Sequence, residues 1–260
     1  SNFIYYHAAS ACAQAIKIQH ALELLETQTL ESFHSYMKKL FEEAENKKSK
    51  GVVTLVSSPE FIFAFGKASE LIAKKIEHPK VSVISALIKK EITQNEKAKI
   101  IVFTQFRETA LQISKFLNSD SRIKSKIFVG QTKKSSKNGE TGLNQKEQKK
   151  IISDFAKGEI NVLCATSIGE EGLDIPEVNV VIFYDPVASA IRKIQRTGRT
   201  ARLMKGKSIV LVTKGTRDEN YYYASRSREK KMYSVLNDVK EKLKKPDLTK
   251  SKQQNVGKFF

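Results

Sequence analysis

The chain has 260 residues, room for one large domain or two small ones, and 40% of them are hydrophobic, which excludes a chain disordered throughout. Lysine and arginine number 46 against 28 aspartates and glutamates, giving a formal charge of +18 and pointing to a polyanionic partner, nucleic acid first; the plainer alternative is a solvated lysine-rich surface. No apolar run approaches membrane-spanning length, no signal-peptide core is present, and Cys12, Cys164 and the four histidines follow no metal or redox spacing, so the setting is read as reducing and intracellular.

The first part reads as helices. Ala8, Ala11, Ala15, Ile18, Leu22 and Leu25 recur three or four apart and predict a helix between His7 and Thr27 with that stripe as its apolar face. Phe33, Met37, Leu40, Phe41 and Ala44 predict a second helix, which ends before a charged stretch closed by Gly51. "GVVTLVSS" is ambiguous and compatible with a short extended segment. Ser58 then caps a further helix with Pro59 in its first position and Phe61, Phe65, Ala68, Ile72 and Ile76 as its stripe.

From about Pro79 strands and helices alternate. "KVSVISALIKKEI" reads as a helix, "AKIIVFTQF" as a strand, "RETALQISKFLNS" as a helix and "SKIFVG" as a strand. The polar loop "QTKKSSKNGETG" precedes the helix "LNQKEQKKIISDFAKG"; then come the strand "INVLCAT", a loop, the strand "NVVIFYD", a short helix, the strand "KSIVLVT" and a long last helix. Such alternation predicts an α/β domain with a parallel sheet covered on both faces. Cys164, inside "NVLCA", is expected to be a small buried hydrophobe.

Ligands of open parallel sheets gather at the carboxyl ends of the strands. "TQFRET", "ATSIGEEGLDIP" and "QRTGRTAR" all follow strands, so Arg107, Thr166, Asp174, Gln195, Arg199 and Arg202 are expected along one edge. Arginines fork onto phosphate oxygens and offset the charge that develops in phosphoryl transfer. Gly169, Gly172 and Gly198 allow close approach of backbone to a ligand.

"VFTQFRET", "VLCATSIGEEGLDIPEVNVVIFYDP" and "QRTGRTAR" resemble motifs IV, V and VI of superfamily 2 helicases. "SIGEEGLDIP" and "KGTRDENYYYASRSREKKM" are similar to the archaeal Hef helicases and the Fanconi anaemia group M proteins, and "YYHAASACAQAIKIQHALELLETQ" resembles the helical insertion that Hef carries between its motor domains. The resemblance implies a thumb-like helical insertion over 1–78, a RecA-like second motor domain over 79–243, and a flexible tail over 244–260. It implies that Arg199 and Arg202 are arginine fingers for the γ-phosphate of ATP with Mg2+, that Gln195 lies at the same cleft, and that Asp174 holds the ribose with Gly172 allowing its approach. Thr166, Thr104 and Arg107, with Gly130 and Gln131, would meet the nucleic-acid backbone without reading sequence. The implied function is remodelling of forked or branched DNA by a cytoplasmic, nucleoid-associated protein of archaeal type. The alternatives are a non-catalytic DNA- and clamp-binding scaffold, or an RNA helicase of the same superfamily.

A complete motor also needs a phosphate-cradling loop and an acidic magnesium-holding motif. "GKAS" at Gly66 has alanine where Ser or Thr is required, and Phe61 where the first glycine would stand; "DEN" at Asp218 comes after motif VI. The expectation is a chain that lacks the first motor domain and is inactive alone. Within the first 78 residues Lys38, Lys39, Lys47, Lys48 and Lys50 suit the DNA-gripping thumb that the resemblance implies, though the residues alone do not favour it over a packing platform or linker between motor halves. The chain ends "QQNVGKFF", which sets Gln253, Val256, Phe259 and Phe260 as the anchors of a sliding-clamp (PCNA) peptide and suggests a natural C-terminus; a frayed end or a strip docked on the protein itself is the alternative. "REKKM" faintly echoes a nuclease motif but lacks its acidic partners, and reads as a charged helix face.

Overall fold

The computed structural model describes residues 2–46, 49–130, 143–166, 176–186 and 206–244. Four helices come first: α1 (Asn2–Thr27), α2 (Leu30–Glu45), α3 (Lys50–Val56) and α4 (Pro59–Ala73). They bury a common core of Ala21, Leu24, Phe33, Met37, Leu40, Val52, Leu55, Phe61 and neighbours. Ser58 caps α4 as expected, accepting from the Phe61 amide with Pro59 in the first turn.

In this region the open reading of segment 50–56 is settled, and the readings of the α1 face and of Ile76 need correction. The segment 50–56 is helical, not extended: its β-branched residues favour a strand locally, but Gly51, Val52, Leu55 and Val56 form one helical face buried in the bundle, and that packing wins. On α1 the helix is right and the face is wrong. Ala21 and Leu24 are buried, whereas Ile18, Leu22 and Leu25 are 51%, 50% and 45% exposed. The flank of α1 carrying Ser10 and Gln14 is the one crossed by α3. A Cβ on Gly51 would stand 2.8 Å from the Ser10 hydroxyl, so small and polar residues there set the close approach. Ile76 is also exposed, because α4 ends at Ala73 and Lys75 turns into the left-handed region (φ 56°).

The second unit comprises α5 (Pro79–Gln94), β1 (Ile100–Phe103), α6 (Arg107–Leu117), β2 (Ser125–Phe128), α7 (Gln145–Lys157), β3 (Val162–Ala165), β4 (Val180–Phe183), β5 (Lys207–Val210) and α8 (Arg217–Lys244). The five strands among the described residues form one sheet, ordered β2-β3-β1-β4-β5, with every neighbouring pair parallel. Side chains alternate strictly between its faces, the period expected of a strand. Ile100, Val102, Val162, Cys164, Val180 and Ile182 meet α5 and α6 through Ile84, Ile88, Ala110 and Ile113. Ile101, Phe103, Leu163, Ala165, Val181 and Phe183 face the other way, onto Phe155 of α7. Cys164 is wholly buried, and burial pushes its thiol up to about 12, as suits an inert core residue. The helix α7 begins in a capping box of Asn144 and Glu147 and stops at Gly158, whose φ of 83° favours glycine.

Candidate nucleotide and nucleic-acid site

The parallel sheet gathers the ends of its strands at one edge, and the described candidate residues lie there. Thr104 leaves β1, its amide donating to the Ala165 carbonyl at 2.9 Å, while the amide of Thr166 reaches the Phe128 carbonyl at 3.3 Å. Arg107 begins α6, and its guanidinium donates to the Gly130 carbonyl at 3.1 Å. The loops after β1 and β2 are thereby joined, bringing Arg107 and Gly130 together as a pair. Arg107 is half-buried, Gln105 beside it is exposed, and Thr104, Gly130 and Thr166 are buried. The Thr104 hydroxyl donates to the Phe106 carbonyl at 2.9 Å, so that side chain shapes the turn from inside. Gln131, Gly172, Asp174, Gln195, Arg199, Arg202 and the tail anchors Gln253, Val256, Phe259 and Phe260 lie outside the described residues.

Asp185, two residues beyond β4, is a member of this edge that motif reading passes over. Its Oδ2 accepts from the Gln105 amide at 2.6 Å and its Oδ1 from the Gln28 side chain at 2.5 Å. Burial raises its pKa; the Lys80 ammonium, the Gln105 amide and Gln28 pull it back, and Asp218 adds to the rise. Lys80 and Asp218 form a second buried contact, with the Lys80 ammonium also donating to the carbonyls of Thr27 (3.2 Å) and Tyr184 (3.0 Å). The sequence offered one faint signal for Asp185, an acidic residue closing the apolar run "VVIFYD" and followed by proline. Gln28, 157 residues away from it, gave none.

These groups do not make a magnesium site. Both Asp185 oxygens are held by N–H donors, and no cluster of three or more histidine, cysteine or acidic side chains suits a metal among the described residues. "GKAS" lies inside α4, where the backbone amides are committed to the helix, and Asp218 is paired with Lys80 in the first turn of α8. No helix among the described residues is long and apolar enough to cross a membrane. Lys38, Lys39 and Lys50 are exposed on the bundle; Lys47 and Lys48 lie outside the described residues.

Residues 80–204 match the family described as "Helicase conserved C-terminal domain", and residues 2–78 match "Putative ATP-dependent RNA helicase, helical bundle". Sheet, bundle and family matches define the chain as a superfamily 2 helicase polypeptide, a RecA-like C-terminal motor domain preceded by a helical bundle. Among solved structures it is similar to the Pyrococcus furiosus Hef helicase domain, at 47% identity and TM-score 0.63, over 82% of this chain and 42% of that one. It is 36% identical over 218 residues to the Sclerotinia sclerotiorum "ATP-dependent DNA helicase mph1", covering 78% of this chain and 17% of that protein. It is 38% identical over 236 residues to a Methanocaldococcus jannaschii protein named "Putative ATP-dependent RNA helicase MJ1505", covering 91% of this chain and 29% of that protein. The chain belongs to the Hef and Fanconi anaemia group M family of helicases. It spans less than a third of the length of these two curated relatives.

Proposed function

We propose that the chain is the second motor half of an ATP-dependent DNA helicase or translocase that remodels forked or branched DNA. The observation that carries this reading is the sheet edge: the loops after β1 and β2 are joined by Arg107 and Gly130, Thr166 stands beside them, and "QRTGRTAR" follows β4 in the chain. In this reading Arg199 and Arg202 reach the γ-phosphate of ATP, with Gln195 at the same cleft and Asp174 and Gly172 at the ribose. The nucleotide and its Mg2+ are held mainly by a first motor half. ATP when bound supplies the energy of the cycle; the guanidinium groups offset charge that builds on the transferred phosphoryl group, an effect worth roughly a hundredfold or more in rate.

Arg107, Gly130, Gln131, Thr166 and the loop shaped by Thr104 track the backbone of one strand, a contact that is independent of sequence. Lys38, Lys39 and Lys50 extend it onto the bundle as a thumb. The tail anchors Gln253, Val256, Phe259 and Phe260 dock on a sliding clamp, and the protein works in the cytoplasm with the nucleoid. A titration of clamp with peptide 250–260 is expected to show binding that Phe259→Ala with Phe260→Ala removes.

The chain alone is expected to show negligible ATPase activity, with or without forked DNA; DNA-stimulated turnover by the 260 residues would contradict the reading. Forked DNA is expected to outcompete duplex RNA. The reverse order would favour an RNA helicase, the reading that the names of the bundle family and of the Methanocaldococcus relative raise. Two joined motor halves that bind forks without hydrolysing ATP would favour the scaffold.

A further inference from the structure

The helical bundle and the loop after β1 are tied together by a buried chain of hydrogen bonds with one direction. The Thr109 hydroxyl donates to Gln28 Oε1 at 2.9 Å. Its single proton is then spent, so its 3.2 Å contact with Ser32 has the serine hydroxyl as donor. The 2.7 Å contact between Ser32 and Thr29 in turn has Thr29 as donor, while Thr29 Oγ1 accepts from the Ser32 amide at 3.1 Å. With Oε1 of Gln28 fixed by Thr109, its Nε2 faces Asp185 Oδ1 and also donates to Thr27 Oγ1 at 3.0 Å; Thr27 passes its own proton to the Glu23 carbonyl at 2.7 Å. Chains of this kind polarise their members in one sense, and a break leaves buried groups unpaired.

The far end of this chain is the Gln105 amide on the other oxygen of Asp185. The next residue, Phe106, packs on the bundle core, its ring centroid 5.6 Å from that of His20. The one after is Arg107. Three successive residues of the proposed nucleic-acid loop are therefore held by the bundle, by Asp185 and by the Gly130 carbonyl.

We propose that Gln28 is a positioning residue through which the helical bundle sets the loop 104–107, so that bundle and loop engage nucleic acid as one body. The link itself stands on the contacts above; its consequence for nucleic acid rests on the function proposed for the loop. Charged groups that act on Asp185 are Lys80 of α5 and Asp218 of α8.

The test uses the whole chain with Gln28→Met, which keeps the length and removes the hydrogen bonds, and Gln28→Glu, which sets two carboxylates together. Amide hydrogen exchange is read at Gln105 and, as a control of folding, at Ile101 and Val102 in β1. At neutral pH both variants are expected to lose about tenfold or more in protection at Gln105, with β1 unchanged. At mildly acid pH the Gln28→Glu pair shares a proton, and protection and forked-DNA affinity are expected to recover towards the wild-type values at that pH; Gln28→Met is expected not to recover. Unchanged protection at Gln105, loss in Gln28→Glu that persists in acid, or loss that spreads equally to β1 would each overturn the assignment. Arg107→Ala separates the two claims. Undiminished fork binding by that variant defeats the role of the loop, while the exchange data still decide the link.

Discussion

Lys80 shows what single buried charges do in this chain. It is 6% exposed, lies against the 3%-exposed Asp218, donates to two carbonyls, and has its ammonium 4.9 Å from the Tyr184 ring centroid. Removing one partner of such a pair leaves the other buried without its counter-charge. Lys80→Met is therefore expected to lower unfolding stability by about 3 kcal/mol, read by urea titration. Pairing Lys80→Met with Asp218→Asn should restore part of it, since the Asp218 charge is then gone and only Asp185, still held by two N–H donors, has lost its cation; an equal loss in the single and double variants would contradict this. Neither residue announces itself in the sequence, where Lys80 looks like one more solvated lysine on a basic chain and Asp218 like part of the polar triplet "DEN". Their sequence separation hides them, because hydropathy patterns report on near neighbours only.

Elements were legible where their own chemistry decides them. The cap of α4 and the alternating strands needed no tertiary information. The helix α3 and the buried face of α1 did need it, because one is set by a neighbouring core and the other by close approach at Gly51. A cap at the junction of the two units carries a pH prediction. His78 caps α5: its Nδ1 accepts from the Lys80 amide at 3.2 Å and its Nε2 donates to the Glu26 carbonyl at 2.8 Å, which fixes the neutral ring. Burial lowers its pKa, with Lys80 acting the same way, against the Glu26 bond and Asp218. A folded-state value below the unfolded one, about 6.5, means that the stabilisation is complete above that pH and is lost as pH falls through the folded-state value. His78→Asn keeps a cap acceptor and does not titrate. The melting-temperature advantage of wild type over His78→Asn is thus expected to shrink on acidification below about pH 6.5, and a constant difference would exclude His78 as the titrating group. The Gly51 contact makes its own prediction. Gly51→Leu should cost about 1–3 kcal/mol by forcing α3 from α1, read in the same urea titration; an unchanged midpoint would show that the approach is not tight.

At the scale of the whole molecule, charge and topology act together. If this basic chain tracks phosphates as proposed, binding releases counterions, so affinity for forked DNA should fall steeply with salt, and Arg107→Ala should reduce the slope of the log–log plot by about one. An unaltered slope would remove Arg107 from the phosphate contacts. The α/β order and the helicase family were legible because alternating strands and helices, and the segments that follow strands, carry their own local patterns whatever fills the core. The polar chain from Thr29 to Asp185 was not, since it forms only where the helical bundle meets α6 and the end of β4, residues far apart in the sequence. The proposed function turns on Arg199 and Arg202 acting on a nucleotide held elsewhere. Its most direct test is the ATPase rate of a polypeptide joining both motor halves, with and without Arg202→Ala. The expected result is a fall of about a hundredfold or more with fork affinity retained, and turnover close to wild type would contradict the account.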